Sequence, residues 1–214
     1  MKLTKEHLLL YAVTDRAWTG SRTLYEQIAA ALAGGATIIQ LREKQLTRPE
    51  LIAEARRLLP LCHSFGAPLI VNDDAEAAFL AGADGVHVGA EDRPVAELRR
   101  RYGPHFIIGA TAKTVDQARA AEAAGADYLG VGAVFPSPTK AQARRITKDQ
   151  LQEICHSVSI PAVAIGGIDG ENMGQLQGFG MAGVALVSAI FGASDIAQAA
   201  AALKAKAQSL IYGA

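Results

Sequence analysis

The chain has little cysteine, no surplus of either charge and no long hydrophobic run, and each shortage removes a class of function. Two cysteines among 214 residues can build neither a disulfide framework nor a cysteine metal site, so a reducing cytoplasm is the expected compartment. The 21 basic and 21 acidic residues cancel. That leaves no electrostatic footprint for nucleic acid or an anionic membrane, and any basic cluster must be local and aimed at something small. A bilayer crossing takes about 20 apolar residues in a row, and the longest uncharged apolar run, 180–193, is shorter and rich in glycine. The opening MKLTKEHLLLYAVTD has no long apolar segment with a cleavage site, so no signal peptide is expected.

What is present is an apolar half of the sequence, ample for one core in a chain of roughly 200 residues. A unit repeats eight times: a short β-branched apolar run, a polar or glycine-rich turn, and a helical stretch. Strands are expected at 8–14, 37–41, 69–71, 85–88, 106–110, 128–134, 162–165 and 183–187. Being apolar on both faces, they read as strands of a covered parallel sheet. Four helices announce their starts with Thr followed three residues later by Glu or Gln, at Thr23, Thr47, Thr114 and Thr147, the pattern of a capping box. Glycines in AGGAT, LAGADG, AAGADY and GFGMAG stop a helix before the next strand. Eight strand–helix units predict an α/β fold, a single-domain (β/α)8 TIM barrel over residues 1–214. The rival, an open doubly wound sheet, would usually carry G-x-G-x-x-G after its first strand, and YAVTDRAWTGS does not.

In such a barrel the chemistry sits at the C-terminal ends of the strands, and most of those ends are polar. Strand two runs IIQLREK. Alternation puts Gln40, Arg42 and Lys44 on one face, toward the barrel mouth, and Leu41 with Glu43 on the other. Two converging cations ask for an anion, unless nearby acids such as Glu43 neutralise them. Strand three ends VNDD. Asp74 precedes a helix and can cap it, Asn72 alternates with Val71, and Asp73 is left without a structural task. After strand four come Glu91 and Asp92, with Pro94 suited to a first helical turn. Asp92 is either a cap or a ligand. Asp73 and Asp92 on neighbouring loops, facing two cations, suggest Mg²⁺, which is commonly held by one or two carboxylates plus phosphate oxygens. Strands seven and eight end in Gly166, Gly167 and Ser188, where the fold usually cradles a phosphate on backbone N–H groups. Strand five leaves Thr111 and Lys113 available. The long connection FPSPTKAQARRI carries Ser137, Thr139, Lys140, Arg144 and Arg145 and reads as a lid. The pattern implies two phosphorylated groups.

At YAVTD, QLREK, VNDD, GVHVGAED, AAGADYLGVGAVFPSPTK, AIGGI and ALVSAIF, in that order and across nearly the whole chain, the sequence resembles the thiamine-phosphate synthase family. The resemblance implies a transferase in which a hydroxymethylpyrimidine diphosphate loses pyrophosphate and the nitrogen of a thiazole phosphate takes its place. It implies that the stretch Gln40, Leu41, Arg42, Glu43 and Lys44, with Asn72, Thr111 and Lys140, meets the pyrimidine diphosphate. Asp73 and Asp92 would hold Mg²⁺. Ser137, Pro138, Thr139, Gly167, Val187 and Ser188 would meet the thiazole phosphate, and Arg42, Lys44 and Lys140 would stabilise the leaving group. Two departures stand out: Thr111 where the family often has serine, and PSPTK for a commoner Thr-x-Thr-Lys. Neither nucleic acid nor membrane is expected as a partner, and a homo-oligomer is compatible with the sequence. Rival functions are a thiazole tautomerase of the same fold, a sugar-phosphate isomerase or epimerase, and a non-catalytic thiamine-phosphate binder.

Three features are mostly set aside. LCHS and ICHS place Cys62–His63 and Cys155–His156 near helix C-termini on the far side of the barrel, His87 is expected as interior packing within approach of the diphosphate rather than as a catalyst, and Trp18 either stacks over the substrate or anchors its loop.

Overall fold

Each of the eight apolar runs becomes a strand, and the strands close on one another. The computed structural model describes residues 2–136 and 145–213; the sequence assignments to Ser137, Pro138, Thr139, Lys140 and Arg144 lie outside them. The strands are β1 (Leu10–Val13), β2 (Ile38–Leu41), β3 (Leu69–Asn72), β4 (Gly85–Val88), β5 (Ile107–Ala112), β6 (Tyr128–Gly132), β7 (Ala162–Ile165) and β8 (Gly183–Leu186). All are parallel, in sequential order, and β8 returns to β1 to seal a barrel. The helices are α1 (Leu24–Ala33), α2 (Arg48–Ser64), α3 (Ala75–Ala81), α4 (Val95–Tyr102), α5 (Val115–Ala123), α6 (Lys148–His156), α7 (Ser188–Phe191) and α8 (Ile196–Tyr212). The expected eightfold repeat is broken once. The segment after β7 is Gly-rich and forms only a 3-10 turn, Met173–Leu176, while the last strand is followed by both α7 and α8. Among the described residues no helix is long and apolar enough to cross a membrane.

Alternation sorts the strand residues into two cores. Ile39, Leu41, Leu69, Val71, Val86, Ile108, Leu129 and Val184 face the helices. Tyr11, Val13, Ile38, Ile70, Ile107, Tyr128, Val163 and Ala185 fill the interior. Burying an aliphatic side chain contributes roughly 1.5–3 kcal/mol, so the outer layer is what holds the helices against the sheet.

The helix starts follow the sequence in three of four cases. Thr23, Thr47 and Thr147 each form a reciprocal capping box with Glu26, Glu50 and Gln150. At Thr114 the hydroxyl accepts from the Gln117 amide, but Gln117 Oε1 takes the N–H of Lys113 instead of completing the box. Thr23→Ala is expected to cost about 1 kcal/mol, read as a lower urea midpoint at unchanged slope. Asp74 caps α3 by accepting from Ala77 N at 2.9 Å, as anticipated. Pro94 stands immediately before α4 rather than within its first turn.

The N-terminal end of the barrel is fastened by polar groups that precede strands. Thr37 Oγ1 accepts from Leu10 N, Asp84 from Leu69 N and Asp127 from Ile108 N. Asp84 and Asp127 occupy matching places in the repeated AGAD turns, so the same residue ties each new strand to the start of its predecessor. His63 bonds Asp84 at 2.9 Å, and Cys62 and Cys155 are free and buried. The Cys62–His63 pair is therefore structural, and Cys155 is buried packing beside an exposed His156.

Candidate active site

The C-terminal mouth of the barrel holds a cavity of about 180 Å³. A larger hollow, about 760 Å³, opens at the opposite end beside Lys2, His105 and Asp127. The mouth is the chemical site because convergent polar groups line it, at the end where this fold places catalysis.

From β2, Gln40 points inward and is 4% exposed, and its Nε2 donates to Tyr11 Oη at 2.8 Å. Arg42 follows on the same face and lines the cavity. It is neutralised, but not by Glu43: its Nη1 reaches Asp15 at 2.8 Å, with both side chains under a fifth exposed. Thr14 also accepts the Arg42 backbone N–H, so β1 fixes the guanidinium from below. Three expectations for QLREK need correction. Leu41 is fully buried in the outer core, where its parity sends it. Glu43 is turned to Arg16 at 2.8 Å. Lys44 is exposed and lines an adjoining hollow with Asp15, Arg16 and Trp18, not the barrel cavity. The strand has ended at Leu41, so alternation no longer dictates its direction.

β3 delivers Asn72 into the cavity, since Ile70 and Asn72 share the inner face. The chain then breaks: Asp73 adopts φ 64°, the left-handed region, and is the sole non-glycine to do so among the described residues. That turn carries its carboxyl to Asp92, close enough for a hydrogen bond between them. Burial and the Asp92 charge push the Asp73 carboxyl up to about 6. Asp92 is not a helix cap; it accepts Gly89 N at 2.7 Å, three residues before α4. Among the described residues no cluster of three or more His, Cys, Asp or Glu could hold a metal. Two facing carboxylates nevertheless suit a hard cation that takes its remaining oxygens from phosphate and water.

Thr111 and Lys113 of β5 and its loop line the wall beside Arg42 and Asn72. Across the cavity are Gly166, Gly167, Val187 and Ser188. Gly166 (φ 99°) and Gly167 (φ 63°) are required twice over. A Cβ on Gly166 would lie 2.5 Å from Ala133 Cβ, and one on Gly167 2.1 Å from the Pro136 carbonyl. Close backbone packing thus explains these glycines, and it leaves the loop within reach of a ligand. Ser188 opens α7, the short extra helix that follows β8.

Sequence reasoning missed one member of this site and read another chiefly as packing. Asp15 belongs to YAVTD, where Tyr11, Val13 and Asp15 alternate toward the interior, a signal that was available. His87 lines the cavity rather than only packing beneath it. Its Nδ1 lies 3.1 Å from Tyr128 Oη and its Nε2 3.1 Å from Thr111 Oγ1. Burial depresses its pKa to about 4, which keeps the ring neutral.

The family model described as thiamine monophosphate synthase matches residues 10–190. A thiamine-phosphate synthase of Ruminiclostridium cellulolyticum is 42% identical over 191 residues, covering 89% of this chain and 91% of its own. A bifunctional thiamine biosynthetic enzyme of Arabidopsis thaliana is 44% identical over 193 residues; the alignment takes in 87% of this chain but spans only 37% of the plant protein. The solved thiamine phosphate pyrophosphorylase of Pyrococcus furiosus superposes with a TM-score of 0.89 at 37% identity, covering 97% of this chain and 98% of that one. With its barrel mouth and its sequence in agreement, the chain belongs to the thiamine monophosphate synthase family.

Proposed function

We propose that the barrel mouth joins a 4-amino-2-methyl-5-(diphosphooxymethyl)pyrimidine to a thiazole phosphate, giving thiamine monophosphate and pyrophosphate. The observation that carries this reading is a polarised cavity. Arg42, Asn72 and Thr111 gather at one wall, and the Gly166–Gly167 loop with Ser188 stands at the other; the Asp73–Asp92 pair is not part of the lining but lies beside that first wall, where Asp73 feels the Arg42 charge. One wall suits a diphosphate and its cation, the other a single phosphate.

In the proposed reaction the methylene carbon–oxygen bond breaks first and its electron pair leaves with pyrophosphate. The aminopyrimidine spreads the positive charge, and the thiazole nitrogen then donates its lone pair to the carbon. No general base is needed, which suits a site whose one histidine is held neutral. Asp73 and Asp92 would bind Mg²⁺, which when present would offset the charge gathering on the leaving group. Arg42, pre-set by Asp15, donates to the departing oxygens. Gln40 and Asn72 orient the pyrimidine ring, and Thr111 donates to the diphosphate. Lys44 reaches the outer phosphate from the rim rather than the reacting carbon, and Lys140 joins it from the connection after β6. Ser137, Thr139, Gly167, Val187 and Ser188 receive the thiazole phosphate. Two free cysteines fit a reducing cytoplasm.

The test is to incubate the protein with both substrates and Mg²⁺ and to follow pyrophosphate. Release that depends on Mg²⁺ and rises with thiazole phosphate is expected. Absence of release under saturating substrates would overturn the reading.

A further inference from the structure

Five side chains from five strands are joined end to end beneath the cavity. Gln40 Nε2 lies 2.8 Å from Tyr11 Oη, which lies 2.7 Å from Tyr128 Oη. Tyr128 Oη is 3.1 Å from His87 Nδ1, and His87 Nε2 is 3.1 Å from Thr111 Oγ1. Both ends of this chain, Gln40 and Thr111, line the cavity; its two tyrosines do not, and are 1% and 0% exposed. The interior gives up volume to seat it. A Cβ on Gly109 would stand 2.1 Å from the Tyr128 ring, and one on Gly130 2.9 Å from His87 Cε1.

Such a chain has a direction. Each hydroxyl owns one proton and a neutral imidazole one N–H. With the Gln40 amide donating to Tyr11, Tyr11 donates to Tyr128 and Tyr128 to His87 Nδ1. His87 Nε2–H then donates to Thr111, whose own proton is turned into the cavity. At the other end Gln40 presents Oε1. Reversing any one bond leaves a buried polar atom unmatched, which costs more than a bond is worth, so the four bonds reverse together or not at all.

We propose that Tyr11 and Tyr128 are positioning residues that lock this relay, so that the cavity offers an acceptor at Gln40 together with a donor at Thr111. The relay thereby selects an aminopyrimidine bearing a phosphate group over its oxo counterpart. It rests on the reading of the cavity as the pyrimidine diphosphate site. An amino group donates to Gln40 Oε1 while a phosphate oxygen accepts from Thr111. An oxo group would face Gln40 oxygen to oxygen. To bind it the relay must run backwards, and Thr111 then has no proton for the phosphate.

The experiment compares wild type with Tyr128→Phe and Tyr11→Phe, using inhibition constants of the aminopyrimidine and oxopyrimidine monophosphates. Wild type is expected to prefer the amino compound by about 30-fold or more, since a site built for a donor rejects its mismatch strongly. Each variant, having broken the relay, is expected to retain less than about fivefold preference, with the KM for thiazole phosphate unchanged. In parallel, ¹⁵N NMR of His87 in the protein with Mg²⁺ and inorganic pyrophosphate should report the Nε2–H tautomer in wild type and a mixture in Tyr128→Phe. Folded variants that keep both the preference and the tautomer overturn the proposal. Should wild type release no pyrophosphate in the synthase assay, the substrate reading fails, and the His87 tautomer still decides whether the relay has a fixed direction.

Discussion

Asp73→Asn is expected to lower Mg²⁺-dependent pyrophosphate release at least ~100-fold, the scale on which losing one electrostatic stabiliser of a transition state is felt, while the metal-free protein gains stability at neutral pH. The two effects share a cause. Asp73 is twisted into φ 64° toward Asp92, and burial together with that second charge lifts its carboxyl from 3.8 to about 6. The folded state therefore holds this proton more tightly than the unfolded chain does. Between pH 3.8 and 6 the unfolded state has released it and the folded state has not. Stability accordingly falls as pH rises through that window and stays low above it. Asp73 is more than a third exposed, so solvent screening holds the penalty to about 1 kcal/mol. Replacing the carboxylate by an amide removes it. At pH 7.5 in chelator, Asp73→Asn should melt roughly 2–4 °C above wild type, and at pH 4 the two should coincide. Added Mg²⁺ should raise the melting point of wild type and leave the variant unmoved, because only a ligand of the native state stabilises it. A variant with parental turnover, or a wild type whose melting point ignores Mg²⁺ at pH 7.5, would remove Asp73 from the proposed metal site.

That residue also marks the boundary of what the sequence makes legible. The barrel is readable because its signals are local: Thr-x-x-Glu at Thr23 or Thr47, glycine after a helix, a two-sided apolar run at Ala162–Ile165. Alternation carries Gln40 into the mouth while the strand lasts, and Asn72, which parity sets only opposite Val71, lines the cavity as well. Alternation fails one to three residues later. Lys44 lies three residues beyond the end of β2 and turns to the rim, and Asp73 leaves its strand's parity through a left-handed turn. Pairing across the barrel is less visible still. The ion pair of Arg42 joins residues 27 apart in sequence, and the hydroxyl contact of Tyr11 and Tyr128 joins residues 117 apart. No local pattern encodes either. A tyrosine inside a strand reads as packing until its hydroxyl is seen to have a partner. The same holds for Gly109, which looks like a weak point in β5 until its neighbour is known.

Gly109→Ala is expected to be among the most destabilising single-methyl additions in the molecule. The glycine faces the barrel interior at the register of Tyr128. The added carbon would stand 2.1 Å from the Tyr128 Cζ and 2.4 Å from its hydroxyl oxygen. That ring cannot withdraw: it is fully buried, its hydroxyl is bound by Tyr11 and His87, and its ring is 5.8 Å from that of Tyr11. Overpacking of a dense core usually costs about 1–3 kcal/mol, and breaking the buried hydrogen bonds adds about 1–3 kcal/mol for each orphaned group. A loss of about 4 kcal/mol is therefore expected, read as a fall in the urea midpoint against wild type. Gly130→Ala provides a graded comparison, since its methyl meets the edge of His87 at 2.9 Å and asks for a smaller shift; it should cost about half as much. Adding Tyr128→Leu to Gly109→Ala removes the obstructing ring, so the double variant should be more stable than the sum of the two single losses by about 1–2 kcal/mol. Additive losses would mean that the methyl and the ring do not compete for the same space, and that Gly109 is fixed by something other than Tyr128.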